Sequence, residues 1–136
     1  MKNNDKESVL KDLSNVLKNA GYIDDITIFL KDIYKREAEG ITGIGNYIAI
    51  PHGKSATVKK VGVAIGILEH EIKWESLDDN GVKVVILFSV ANDSNGAETH
   101  LKLLSKVARK LGKDEVVSSL IESKSVQDVI KSFEIA

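Results

Sequence analysis

The 136-residue chain has no cysteine, one proline, one tryptophan and one methionine. Without cysteine there is no disulfide, no thiolate metal ligand and no thiol nucleophile, so any covalent chemistry has to use another side chain. No apolar run approaches the roughly 20 residues that span a bilayer, and the polar start "MKNNDKES" holds no signal-peptide hydrophobic region, so the expected location is the cytoplasm, with no membrane insertion. Charge of one sign is lacking too. Nineteen basic residues face twenty acidic ones for a formal charge of −1, which argues against nucleic-acid binding or membrane-surface attachment driven by bulk charge. What the chain does have is 43% hydrophobic and 29% charged residues. That composition suits one soluble globular domain over residues 1–136 with a sizeable core.

The pattern along the chain alternates helix and strand. In "ESVLKDLSNVLKNAG" the positions Val9, Leu10, Leu13, Val16 and Leu17 keep a helical period, and Gly21 stands where a helix C-terminal glycine belongs. A second helix starts at Asp24 or Asp25, runs through Phe29, Leu30, Ile33 and Tyr34 to about Glu39, and stops at Gly40. "YIAI" reads as a short strand. "VGVAIGIL" (Val61 to Leu68) and "VKVVILFSV" (Val82 to Val90) read as central strands buried on both faces. "ETHLKLLSKVARKLG" is a helix with a stripe of Leu101, Leu104, Val107, Ala108 and Leu111, and shorter helical patterns follow at Val116 to Ile121 and Val126 to Phe133. The expected fold is α/β, a mixed β-sheet flanked by helices.

The sole proline sits in "NYIAIPHGKS", followed at once by one of three histidines. Proline fixes its own φ, lacks an N–H and holds Ile50 in the extended region, so the strand is expected to end at Pro51 and present His52 at its end. Gly53 leaves the imidazole unobstructed and allows a sharp turn. The same string also fits an ordinary surface histidine in a turn. His100 shares a helix face with Leu104, Val107 and Leu111 and lies near the helix start, where the dipole disfavours protonation; it reads either as a neutral partner for an anion or as a satisfied core histidine. His70, between Glu69 and Glu71, reads as a solvated surface residue. The three histidines are 18 and 30 residues apart with no H-E-x-x-H, so a metal site is not expected. "GIGNYI" has Ile48 where a dinucleotide fingerprint needs its third glycine, and neither a P-loop nor a G-x-S-x-G elbow occurs. Histidine is the side chain left for covalent work.

The string "GNYIAIPHGKS", preceded by "KREAEGITGI" and followed by "VKKVGVAIGI", resembles the active-site region of enzyme IIA domains of the bacterial phosphoenolpyruvate-dependent sugar phosphotransferase system, fructose/mannitol class. The likeness continues through "IKWESLDDNGVKVVILFSVANDSNGAETHLKLLSKVARKL" and covers nearly the whole chain; "PHGKSATVKK" and "KWESLD" look most like the fructose-type members. The family commonly carries a short lead element before its first helix, for which this chain has little room. The resemblance implies a mixed sheet flanked by helices and no cofactor. It implies that His52 accepts a phosphoryl group from the carrier protein HPr as a phosphohistidine, with His100 and Arg36 around it. It implies transfer onward to a cysteine of a IIB component. A chain without cysteine cannot contain that acceptor, so IIB is a separate protein or domain, and the surface around His52 should be shallow and shared by both partners. Nitrogen-related regulatory IIA proteins share the "IAIPHGK" region. Their phosphorylation state controls protein partners instead of sugar flux, and that reading remains the alternative.

Overall fold

The computed structural model of the chain describes residues 5–135; the lead element that the resemblance raises falls largely outside them. Helix α1 (Lys6–Asn19) starts where the Asp5 carboxylate accepts the Ser8 N–H, and Gly21, at φ 82°, supplies the left-handed residue that ends it. Helix α2 (Ile26–Glu39) is capped by Asp25 and ends at Gly40, whose backbone is extended. Both helices fall where the hydrophobic period puts them. Two stripe positions do not: Val16 is 53% and Tyr34 40% exposed. The apolar faces of α1 and α2 turn toward the sheet through Leu10, Leu13, Leu17, Phe29 and Ile33, which leaves these two on the solvent side.

Among the described residues five strands form one mixed sheet: β1 (Gly43–Gly45), β2 (Ile48–Ala49), β3 (His52–Ser55), β4 (Gly62–Ile72) and β5 (Val82–Ala91). β5 is the centre. Its Val85 and Leu87 face the α1/α2 layer; Val84, Ile86, Phe88 and Val90 face a second layer that includes Val107, Leu111, Val116, Val117 and Leu120. The second layer comprises α3 (Ser94–Leu111), α4 (Asp114–Glu122) and α5 (Val126–Glu134). The α/β sandwich therefore stands as expected. β4 departs from expectation: among the described residues it pairs only with β5, antiparallel, and several of its residues remain half-exposed, so it is not a central strand. The stripe on α3 also differs. Leu101 is 62% exposed and Ala108 is exposed, whereas Leu103 takes part in the core beside Leu104, Val107 and Leu111. Both 103/107/111 and 104/108/111 satisfy helical spacing, and only the seating of the helix chooses between them.

The expectation at Pro51 holds in part: β2 ends at Ala49, just before the proline, but His52 opens a new strand and pairing with β5 resumes beyond it. β2 pairs with β5 in parallel as Ile48↔Val84 and Ala49↔Val85, and β3 pairs with the same strand as His52↔Phe88 through Ser55↔Ala91. The register is unchanged across the proline. Pro51 removes one ladder donor and so divides the strand, yet its carbonyl still accepts the Phe88 N–H at 2.9 Å. β4 pairs with the same β5 residues from the other edge, so the segment holding His52 is anchored on the most buried strand of the molecule. Gly53 does not turn the chain either. It lies within β3, and a Cβ there would sit 2.3 Å from the Phe29 ring. Its lack of a side chain is needed for contact with α2, while the alternation of the strand sends its neighbours His52 and Lys54 toward the opposite face.

Candidate active site at the end of the central strands

His52 is half-buried at the start of β3. Its Nδ1 lies 2.6 Å from the Ile50 carbonyl, an acceptor only, so Nδ1 carries the proton and Nε2 carries the free lone pair. Below the ring is Phe88, stacked with centroids 4.9 Å apart and planes 24° off parallel. The cross-strand pairing His52↔Phe88 is what brings the two rings together. At the ring's edge stands His100, 4.8 Å away and nearly perpendicular.

His100 arrives there from α3. Asp93 caps that helix by accepting the Gly96 N–H, and Gly96 lies so close to Ala91 that a Cβ would meet it at 2.6 Å. The helix therefore begins four residues earlier than the "ETHLK" pattern suggests, and His100 sits nearly two turns inside it. The dipole of the first turn is thus not what keeps this imidazole neutral. Burial lowers its pKa, and the Lys54 ammonium adds to the effect. Its Nδ1 is buried without a hydrogen-bond partner among the described residues.

An open cleft of about 600 Å³ joins His52, His100 and Arg36 with Lys35, Lys54 and Asn92. All three expected site residues therefore share one cleft. Arg36, in the last turn of α2, donates from Nη1 to the Gly40 carbonyl at 3.1 Å, which steadies the guanidinium and leaves its other donors for a ligand. Lys54 was missed from the sequence. Its signal is the strand period of two from His52, which places both side chains on one face. Lys35 and Asn92 carried no local signal; they come from the helix and the β5–α3 loop that close the cleft. His70 is exposed on β4 and does not line it, in agreement with its reading as a surface residue.

The His52 pKa is pushed down to about 4, chiefly by burial, then by the neighbouring His100, with the Ile50 carbonyl opposing and Arg36 assisting. At neutral pH the ring is uncharged and Nε2 is nucleophilic. The same shift makes stability pH-dependent. Between pH 6.5 and about 4 the unfolded chain binds the proton and the folded one does not, so stability falls as pH falls through that window, by up to about 3 kcal/mol from this ring. Urea unfolding at pH 7 and pH 4.5 is expected to show this loss in the parent and a smaller one in His52→Gln. Equal losses in the two proteins would remove His52 as the source.

Residues 1–135 match the family model for the phosphoenolpyruvate-dependent sugar phosphotransferase system, EIIA 2. The chain belongs to that family. Among similar proteins, a fructose-specific EIIABC component of Bacillus subtilis is 33% identical over 126 residues, which are 93% of this chain and 20% of that protein. A fructose-specific EIIA component of Haloferax volcanii is 35% identical over 128 residues, 92% of this chain and 82% of that protein. The chain thus spans about a fifth of the first relative and most of the second. Among solved structures, the nitrogen regulatory protein IIA-Ntr of Neisseria meningitidis superposes with a TM-score of 0.86 at 25% identity, over 98% of this chain and 89% of that one. The EIIA fold of this chain is accordingly the α/β arrangement described above, and no helix among the described residues is long and apolar enough to cross a membrane.

Proposed function

We propose that this EIIA chain carries a phosphoryl group on Nε2 of His52, that residues 1–136 act as one IIA domain, and that the system served takes up fructose. The observation that carries the reading is the clamp of Nδ1–H on the Ile50 carbonyl within a cleft that holds Arg36 and Lys54. In the forward step the Nε2 lone pair attacks phosphorus, a new N–P bond forms, and the N–P bond to the histidine of phospho-HPr breaks. No proton has to leave Nε2. The positive charge that the phosphorylated ring gains is met by the Ile50 carbonyl through Nδ1–H. The phosphoryl oxygens are met by Arg36 and Lys54, and by His100, whose buried and unpartnered Nδ1 leaves Nε2–H as its donor. In the second step a IIB cysteine thiolate attacks, the S–P bond forms and the Nε2–P bond breaks. The sugar never meets this chain.

Fructose is favoured by the two relatives named for it and by the "PHGKSATVKK" and "KWESLD" strings. The regulatory alternative draws on the likeness to the neisserial nitrogen regulatory protein. A chase separates the two. Phosphorylated chain mixed with a fructose-type IIB is expected to lose its label to the IIB cysteine within seconds, and with a mannitol-type IIB at least about tenfold more slowly. Retention of label with every IIB tried would favour the regulatory role.

A further inference from the structure

Thr42 lies ten residues before His52, on the segment between α2 and β1, and is 3% exposed. Its backbone carbonyl accepts the Ile50 N–H at 2.9 Å. The Ile50 carbonyl in turn accepts the His52 Nδ1–H at 2.6 Å. Ile50 precedes the proline and is confined to extended conformations, so fixing its N–H also fixes the direction of its carbonyl. The placement of Thr42 therefore reaches the reactive ring through one residue.

Thr42 is itself held by a polar network more elaborate than a loop needs. Its hydroxyl accepts the Trp74 Nε1–H at 3.0 Å and donates to Glu37 Oε1 at 3.0 Å. Glu37 is also ion-paired with Lys6 of α1, whose ammonium reaches Glu75 at 2.9 Å and lies 4.7 Å from the centroid of the Trp74 ring. The Glu37 side chain is 9% exposed, and its Oε2 has no partner among the described residues. Burying a carboxylate in this way adds little net stability compared with apolar packing. What such a network does supply is a single geometry, because each hydrogen bond excludes alternatives for the next.

We infer that Thr42 is a positioning residue for His52: held by Trp74 and Glu37, it orients Ile50 so that the imidazole keeps its proton on Nδ1 and its lone pair on Nε2. The consequence for transfer rests on the proposed carrier role of His52; the consequence for the tautomer does not.

Two variants test this. Thr42→Val keeps the volume and removes both hydroxyl bonds, and Thr42→Ser keeps the hydroxyl. Imidazole nitrogen–proton NMR of the unphosphorylated protein is expected to show His52 as one Nδ1–H tautomer in the parent and in Thr42→Ser, and as a mixture in Thr42→Val. Phosphoryl uptake from phospho-HPr is expected to fall about tenfold in kcat for Thr42→Val, with KM unchanged and with recovery in Thr42→Ser. A Thr42→Val protein with a lowered Tm but the parental tautomer and a kcat within about twofold of the parent overturns the inference and leaves Thr42 a packing residue. If Thr42→Val does not fold, Trp74→Phe removes one of the two side-chain bonds to the same hydroxyl, and the same readouts decide. Failure of the carrier reading looks different: the parent takes no label at His52, while the tautomer still shifts in Thr42→Val.

Discussion

His52→Ala is expected to take up no phosphoryl group above background when incubated with phosphoenolpyruvate, enzyme I and HPr, a loss of at least about a thousandfold in rate. The variant deletes the imidazole proposed as the nucleophile, and no neighbour is placed to replace it. His100 lines the same cleft, but its ring is fixed edge-on to His52 with Nδ1 buried. His70 lies outside the cleft on β4, and the chain has no cysteine. Loss of uptake will not be confused with unfolding. Removing a ring that resists protonation lessens the acid sensitivity of the fold but also removes its stacking on Phe88, so the Tm of the variant is measured at the pH of the uptake assay and is expected to stay well above the assay temperature. Parental labelling in His52→Ala would falsify the site.

Phe88→Ala carries the largest expected cost in stability. The ring is fully buried on the most buried strand, stacks beneath His52 at 4.9 Å and meets His100 edge-on at 5.3 Å. Truncation of such an aromatic costs about 3–5 kcal/mol through lost transfer energy and the cavity left behind. For a domain of this length that corresponds to a Tm lower by roughly 10–15 °C, against a total stability of about 5–15 kcal/mol. Two histidines lose their shared support, so the His52 pKa is expected to climb from about 4 back toward its ordinary value as water reaches the ring. Phe88→Leu keeps most of the volume and should cost less than half as much. Thermal unfolding together with an NMR titration of the His52 ring measures both effects, and a Tm drop below about 3 °C would show that Phe88 is not a core support.

Much of this was legible from residue pattern. The five helices and β5 announce themselves by period and by β-branched content, whereas His52, His100 and Arg36, which the fold gathers into one cleft, are picked out together by the family resemblance; taken alone, Arg36 reads as a solvated helix-end residue. The misreadings have physical reasons. A proline in an extended run ordinarily ends the ladder, and only the partner strand reveals that 48↔84 and 52↔88 keep the same register. Gly53 seemed a turn because glycine permits one, whereas the requirement comes from Phe29, 24 residues earlier in the chain. β4 looked central because its apolar content was high, although nothing in one strand's sequence says how many neighbours it has. The anchor at Thr42 left no trace, since two of its three bonds are made by backbone or carboxylate groups that any sequence could offer and the partners come from Glu37, Ile50 and Trp74.

Trp74 is the chain's one tryptophan. Its indole N–H is bonded to the Thr42 hydroxyl, and a lysine ammonium lies over its ring. All indole fluorescence of this protein therefore originates within one hydrogen bond of the residue that steers Ile50. Emission excited at the red edge of the indole band reports solvent entry at that anchor, where a loosened N–H shifts the spectrum to longer wavelength. The molecule carries an intrinsic optical gauge of that anchor, readable on the unlabelled chain in ordinary buffer.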